Sequence, residues 1–377
     1  MTVVGQLVAR PLMRLAGAKA DTIDDAEIYF RIVTAVLPFN ALSMAMCAAQ
    51  RGIGNTRITL YVNVTSNVVN VFLNWLLING IWIFPRWEVK GAAIATAIGL
   101  CVGSVLACIS LVRRHEGDMG FLRLSVKDDW RFSLPAARAV VKVGGNSMLE
   151  QIALRIGFFL YARLVADLGT QAYASHVVCM QFLNLSFTFA DGIGVASTSL
   201  VGQMLGRERP DLSHLYGKIA QRIAVVGAVL LASAIVVFRY PLVGLFTDDP
   251  TVARLSANVM LIVALFQPLQ MLSVITSGAL RGAGDTKYVA RVMLICVAII
   301  RPVLAFSAIR LITQFFTPVY AEAAFAGAAA TLTYWLAYEA PEWALLGAWA
   351  ASLVDMALRM GLVMKRFNGG KWHSIKV

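Results

Sequence analysis

The sequence predicts an all-α, polytopic membrane protein of two helical lobes related as parallel repeats, with nine full transmembrane helices and an N-terminal partial helix. Of its 377 residues, 59% are apolar and 14% are charged, whereas typical soluble domains carry about 25% charged residues. The mean hydropathy is +0.71. Several apolar runs reach the roughly 20 residues of helix that cross a bilayer, and one motif recurs at a fixed distance, which indicates a duplication.

The elements follow in order along the chain. Residues 1–16 are too short to cross a bilayer and contain Arg10, Pro11 and Arg14, so they predict only a partial helix. Nine runs after this segment are long and apolar enough to span. They are 25–50, 58–82, 91–112, 139–166, 173–205, 216–238, 253–279, 288–312 and 344–364.

The distribution of basic residues predicts the orientation of these spans. One alternating set of connections holds 21 Lys or Arg and the opposite set holds five. The basic set includes the C-terminus, so the C-terminus is predicted to be cytoplasmic in a multi-pass protein of the plasma (inner) membrane. The net charge of +12 does not indicate nucleic-acid binding, because the cations occupy short loops between apolar runs. Residues 319–340 are long enough to span, but this orientation favours an external, interfacial segment.

The motif RGIGNTR at 51–57 recurs as RGAGDTK at 281–287, an offset of 230 residues. The same offset relates Pro38 to Pro268 and Pro11 to Pro241. Each motif is predicted to be a tight turn with a C-terminal glycine and an Asn or Asp N-cap, rather than a phosphate-binding loop. The predicted domains are an incomplete N-lobe (1–115), a cytoplasmic linker (116–137), a C-lobe (138–366) with an external insertion (313–343), and a cytoplasmic tail (367–377).

These residues carry a family resemblance. The two RGxG motifs, together with FPRWEVKGAAIATAIG at 84–99 and EQIALRIGFFLYARLVADLGTQAYASH at 150–176, resemble the multidrug and toxic compound extrusion (MATE) family. The resemblance implies a twelve-helix fold in two lobes that exports cationic amphipathic compounds against proton or sodium entry. It implies that the chain begins within the family's third helix, and a chain so truncated at its N-terminus is expected to be incomplete for transport. Two departures are Asn146 in place of a usual proline and the stretch FQPLQML at 266–272, which has Gln267 and Gln270 but no acid on the helix where some members carry one.

Ionisable side chains at membrane depth predict the ion-coupling site. Glu150 and Asp191 lie 20 residues before and 21 residues after Thr170, so a helical hairpin would place both acids in one layer. Glu150 also matches a functional position of the family by resemblance. The alternative for both acids is a fixed structural pair with Arg155.

Other polar residues are predicted to line the substrate cavity or to support packing. In the hairpin Arg155 is level with Asn184, and Asn63, Asn67, Asn70 and Asn74 share one helical face, for which interhelical hydrogen bonding is the alternative. Asp355 and Arg359 are spaced as an intrahelical pair. The predicted cavity residues are Gln151, Arg155, Asn184, Gln267, Asn70 and Asn74.

The sequence favours an antiporter, coupled to protons or sodium, that exports organic cations or drugs by alternating access. No enzyme activity, cofactor, metal site or nucleic-acid partner is expected; the partners are membrane lipid and a small organic cation, and a complete chain is expected to be monomeric. A flippase for a lipid-linked glycan is the alternative within the same superfamily, with Arg155 and Arg163 as its basic candidates. An inactive truncated remnant is the third possibility.

Overall fold

The described part of the protein consists of α-helices joined by short turns. The computed structural model describes residues 2–15, 22–81, 85–112, 133–325 and 340–372. The chain divides into two compact units, Met1–Arg131 (unit 1) and Phe132–Val377 (unit 2). The division lies inside the segment predicted to be the linker, most of which lies outside the described residues.

Unit 1 contains five helices. The helix α1 packs against α2, whereas α2, α3 and α4 all pack against α5, and a small core forms around Cys47, Val62 and Ala107. A bend of 43° separates α2 from α3, where Pro38 stands in the first turn of α3 and cannot donate the hydrogen bond that would continue α2. The helices of unit 1 are α1 (Thr2–Leu15), α2 (Ile23–Ala35), α3 (Leu37–Gly52), α4 (Thr56–Asn79) and α5 (Glu88–Val112).

Unit 2 is organised around the helix α9, which packs against α7, α8 and α12. The long helix α6 packs against a second assembly, in which α10 continues through a π-helical segment, π1, into α11. The segments of unit 2 are α6 (Leu134–Ala166), α7 (Thr170–Gly206), α8 (Pro210–Gly244), α9 (Pro250–Gly282), α10 (Thr286–Met293), π1 (Leu294–Ile300), α11 (Arg301–Phe325) and α12 (Ala340–Asn368).

Seven helical segments in the described residues are long and apolar enough to cross a membrane, and the bent pair α2–α3 makes an eighth candidate. The seven are α4, α5, α7, α8, α9, the continuous α10–π1–α11 segment up to Gln314, and α12. Of the nine predicted spans, seven or eight therefore correspond to one of these segments. The remaining predicted span is α6, whose 33 residues include Arg138, Lys142, Glu150, Arg155 and Arg163.

Two segments differ from the predicted boundaries. The helix α11 continues to Phe325 and so enters the predicted insertion (313–343), of which residues 326–339 lie outside the described part. The predicted tail (367–377) begins as packed structure, because Phe367 and Trp372 are both fully buried and stack on each other at 5.1 Å between ring centroids. Residues 373–377 are not described.

Candidate functional site

Both RGxG motifs form the predicted turn, and their backbone hydrogen bonds match one for one. Gly54 donates to the carbonyl of Arg51 at 3.0 Å and Asn55 donates to that of Gln50 at 2.9 Å. In unit 2 Gly284 donates to Arg281 at 3.0 Å and Asp285 donates to Leu280 at 2.9 Å. These bonds define a Schellman motif, which places a residue of positive φ after the helix, here Gly54 (φ 96) and Gly284 (φ 83). The predicted C-terminal glycines are confirmed.

The two motifs use their N-cap residues differently. Asn55 Oδ1 accepts the backbone N–H of Ile58 at 3.4 Å and caps α4 as predicted. The prediction is wrong for Asp285, whose side chain makes no cap hydrogen bond. Instead Asp285 Oδ2 accepts from Arg366 Nε of α12 at 2.7 Å. The stronger, charge-assisted partner therefore takes the carboxylate away from the helix end.

The unit 2 motif, which lies between α9 and α10, contacts two further helices, α6 and α12, through its side chains. Arg281 Nη1 donates to Glu150 Oε1 of α6 at 2.7 Å. One turn earlier on α6, Asn146 Nδ2 donates to Thr286 Oγ1 at 3.1 Å, while Arg366 holds Asp285 from α12. Asn146 thus provides an interhelical hydrogen bond that a proline, which has no side-chain donor, could not make.

Glu150 is the buried acid of this region. Its side chain is only 3% exposed, and the side chain of its partner Arg281 is 24% exposed. The alternative in which Arg155 neutralises Glu150 is wrong, because Arg155 is exposed and Arg281 holds the carboxylate.

Deeper in unit 2, Asp355 pairs with Arg301 rather than with Arg359. Arg301 Nε donates to Asp355 Oδ2 at 2.9 Å, and the side chains are 4% and 0% exposed. The Arg301 guanidinium also lies 5.2 Å from the centre of the Phe158 ring of α6. Arg359 is 2% exposed, contacts Met293 Sδ at 3.7 Å, and its Nε has no hydrogen-bond partner among the described residues. The predicted intrahelical pair Asp355–Arg359 is therefore wrong.

These five residues, Glu150, Arg281, Arg301, Asp355 and Arg359, form what we call the charged core of unit 2. Three arginines and two acids give it a formal charge of +1 (3 − 2). Charges in an apolar environment are stable only when paired or reached by water. Each acid is paired with one arginine, whereas Arg359 Nε and Asp355 Oδ1 have no hydrogen-bond partner among the described residues.

The residues predicted to lie level in the α6–α7 hairpin, Glu150 with Asp191 and Arg155 with Asn184, are not joined in pairs by hydrogen bonds among the residues that the structure describes. Asp191 is exposed, whereas Glu150 is buried. Gln151, Arg155 and Asn184 are all exposed, and no hydrogen bond joins Arg155 to Asn184 within the described part of unit 2. The reason is that α6 packs mainly along α10, π1 and α11, and makes fewer contacts with α7.

The predicted amide residues take up packing roles. Gln267 is fully buried in α9, where its Nε2 donates to the Val263 carbonyl at 3.2 Å. In unit 1 Asn74 Nδ2 donates to Asn70 Oδ1 at 3.1 Å, and Asn70 Nδ2 donates to Thr96 Oγ1 of α5 at 3.3 Å. Of the asparagine face, Asn70 therefore bonds across to α5 and Asn74 bonds within α4, while Asn63 and Asn67 are exposed.

Comparison with known proteins identifies the family of this chain. Among relatives, the probable multidrug resistance protein NorM of Thermotoga maritima is 27% identical over 350 residues, covering 92% of this chain and 68% of the relative. The probable NorM of Mannheimia succiniciproducens is 29% identical, covering 69% of this chain and 56% of the relative. The chain thus spans only part of the length of these relatives.

A solved structure described as the outward-facing conformation of a multidrug resistance MATE family transporter matches 98% of this chain and 75% of its own. Its TM-score is 0.78 at 18% sequence identity, which shows a shared fold. The family model MatE matches residues 1–76 and 147–307, well over half of the sequence. The chain therefore belongs to the MatE family of MATE transporters.

Proposed function

We propose that the protein is an antiporter that exports organic cations, coupled to proton or sodium entry, with Glu150 as the coupling acid. The observation that carries the proposal is the pair Glu150–Arg281, in which a 3% exposed carboxylate is held by a guanidinium that is itself 24% exposed. A buried carboxylate needs a cation. An arginine with a path to solvent can leave, and a proton, a sodium ion or a cationic substrate can take its place.

Competition of several cations for one carboxylate couples their movements. When the entering ion neutralises Glu150, an organic cation loses its binding charge, and when the ion leaves, the charge is available again. A carrier that switches between two access states converts this competition into exchange. The names of the NorM relatives, which describe probable multidrug resistance proteins, support an organic substrate. We place the protein in the plasma membrane with its C-terminus in the cytoplasm, with α6 as a ninth span.

A lipid-linked glycan flippase has weaker support. A pyrophosphate would require several basic side chains at one place. The candidate Arg163 lies 3.7 Å from Asp167, its i,i+4 neighbour, and both are exposed near the end of α6. Arg155, the other candidate, is exposed on the same helix.

The test compares Glu150→Gln with wild type in proteoliposomes that carry an imposed proton or sodium gradient. The amide keeps the size of the side chain but cannot hold a charge, so we expect gradient-driven ethidium accumulation to fall to background with either ion. Ethidium binding in detergent, measured by fluorescence anisotropy, is expected to weaken at least tenfold. The reason is that one hydrogen bond to a charged group contributes about 1.5–3 kcal/mol. Wild-type uptake by Glu150→Gln would refute the role of Glu150.

Two matched variants control this test. Asp167→Asn removes an exposed acid of the same helix and is expected to keep uptake and binding. Glu150→Asp keeps the charge on a shorter side chain and is expected to retain part of the binding. Loss of binding in Asp167→Asn as well would show that acids on α6 act through general electrostatics rather than through one site.

A further inference from the structure

A basic and apolar groove on unit 2 lies outside the charged core. Its volume is about 610 Å³, within the range of small-molecule sites, and it lies between α8 and α12 with α9 at its base. Its lining residues are His214, Lys218, Gln221, Arg222, Val225, Val226, Leu272, Met364 and Asn368. No acidic residue is among them.

The lining of the groove is basic near the start of α8 and apolar farther along this helix. His214, Lys218 and Arg222 follow one another at intervals of four, so they occupy one face of the helix. Val225 and Val226 continue this face about one turn farther along, where Leu272 of α9 lies opposite. A ligand of matching shape therefore has an anionic end near the start of α8 and an apolar part farther along the helix.

The two cations of the groove, like Arg138 and Lys142 of α6, are exposed cations of unit 2. Lys218 and Arg222 are exposed, and neither makes an ion pair or a hydrogen bond with any residue that the structure describes. By contrast Arg281, Arg301 and Arg366 each hold a carboxylate. At the His214 end of the groove, the imidazole ring stacks on the Phe367 ring, with 5.0 Å between ring centroids and an interplanar angle of 7°. This stacking holds the His214 side chain in place.

The position in the chain fits the edge of a bilayer. The predicted span of α8 is 216–238, so Lys218 and Arg222 occupy its first two turns. The other polar wall is near the end of α12, at Asn368. Lys and Arg at this depth reach the phosphate layer, and basic pockets between transmembrane helices bind anionic head groups.

We propose that this groove binds an anionic phospholipid, with its phosphate between Lys218 and Arg222 and one acyl chain along the apolar inner wall. Charge complementarity selects the anionic head group, and the apolar continuation toward Leu272 selects a lipid over a free anion. The lipid would bridge α8 and α12, two helices that meet at Phe367, whose ring lies against Gly217 and stacks on His214.

The full purified chain is titrated with phosphatidylglycerol and, separately, with phosphatidylcholine of the same acyl chains, and bound lipid is counted by native mass spectrometry. We expect wild type to bind phosphatidylglycerol more tightly than phosphatidylcholine. In Lys218→Gln with Arg222→Gln the affinity for phosphatidylglycerol is expected to fall about thirtyfold, about fivefold for each charge. Equal binding of the two lipids by wild type, or unchanged affinity in the double variant, would contradict the proposal.

Arg138→Gln with Lys142→Gln is the matched control. It removes two exposed cations at the same i,i+4 spacing, on α6, outside the groove. We expect wild-type affinity there, and an equal loss in both double variants would show that the lipid responds only to net charge.

Two further measurements separate a lipid from a free anion and from misfolding. Soluble glycerol phosphate, which has the phosphate but no chains, is not expected to displace phosphatidylglycerol, and displacement at equal concentration would mean a free-anion site. Val226→Trp keeps both cations and fills the apolar wall, so it is expected to weaken phosphatidylglycerol binding. Unchanged lipid binding in Val226→Trp would overturn the placement of the acyl chain.

Discussion

The two acid–arginine pairs of the charged core differ in their access to solvent. Arg301 and Asp355 are 4% and 0% exposed, so neither can exchange its partner without a large rearrangement of α11 and α12. Glu150 is equally buried, but Arg281 is 24% exposed. A pair sealed on both sides stabilises one arrangement of helices, whereas a pair open on one side can be exchanged for another cation. This difference is the reason for proposing a structural role for Asp355 and a coupling role for Glu150.

A double-mutant cycle tests which arginine Asp355 depends on. Asp355→Asn is expected to lower the free energy of unfolding by about 3–5 kcal/mol, because it leaves Arg301 charged and unpaired in the core. The coupling energy with Arg301→Gln is expected to exceed the coupling energy with Arg359→Gln by more than about 1 kcal/mol. Chemical unfolding in detergent micelles measures each value.

The control for this cycle is the exposed pair Arg209–Asp211 at the start of α8. The hydrogen bond from Arg209 holds the pKa of Asp211 below its usual value, yet both side chains are largely in water. Asp211→Asn is therefore expected to leave the unfolding midpoint nearly unchanged. A larger coupling of Asp355 with Arg359 than with Arg301 would restore the intrahelical pair that the sequence spacing suggests.

At the scale of elements, sequence periodicity predicts helices better than it predicts their partners. Apolar runs located the helices and the two RGxG motifs located the turns, because both signals are local, but several ends differ, such as 216–238 for α8 (Pro210–Gly244). The partners of Glu150 and Asp355 lie 131 and 54 residues away, so local spacing carried no information about them. The prediction that Glu150 and Asp191 lie in one layer assumed that α6 and α7 pack along each other as a hairpin. Instead α6 packs mainly along α10, π1 and α11. Nothing in the sequence reading anticipated the π-helical turn at Leu294–Ile300.

The close packing of α7 against α9 depends on small residues. A Cβ added at Gly278 would meet the carbonyl oxygen of Gly194, and Thr198 Oγ1 donates to the Gly278 carbonyl at 2.8 Å. Gly278→Ala must therefore push the two backbones apart, and we expect it to cost about 1–3 kcal/mol of unfolding free energy. Thermal unfolding in detergent is the measurement.

Gly192→Ala is the matched substitution on α7, because nothing lies within 4 Å of a Cβ added there. It is expected to be neutral or slightly stabilising, since alanine favours the helix over glycine by about 1 kcal/mol. If Gly278→Ala were as stable as Gly192→Ala, the contact between α7 and α9 would have to be looser than the structure shows.

At the scale of the molecule, residues related by the 230-residue offset share their turns but do not always share their local structure. The Schellman geometry repeats at Gly54 and Gly284, and Pro11 and Pro241 both lie inside helices. Pro38 begins a new helix, whereas its counterpart Pro268 lies within the continuous helix α9. Equivalent residues thus give different local structures, because the surrounding packing decides whether a proline within an apolar run ends the helix.

The membrane topology of α6 decides whether Glu150 lies on a transmembrane helix. Because α7 is apolar enough to span, Thr170 and Arg207 at its two ends are expected on opposite sides of the membrane. Ser133 is exposed just before α6, so the side of the membrane on which it lies shows whether α6 crosses the bilayer. If α6 spans, Ser133 lies on the side of Arg207, and the excess of basic residues places that side in the cytoplasm.

Single cysteines at Ser133, Thr170 and Arg207 test this with an impermeant maleimide on intact cells. We expect Thr170→Cys to react from outside, and Ser133→Cys and Arg207→Cys to react only after permeabilisation. The parent protein is the control, because its five cysteines all lie within helices and three of them are buried. Labelling of Ser133→Cys together with Thr170→Cys would mean that α6 does not cross the bilayer. Glu150 would then meet its ions from one side only, and an exchange mechanism based on this acid would fail.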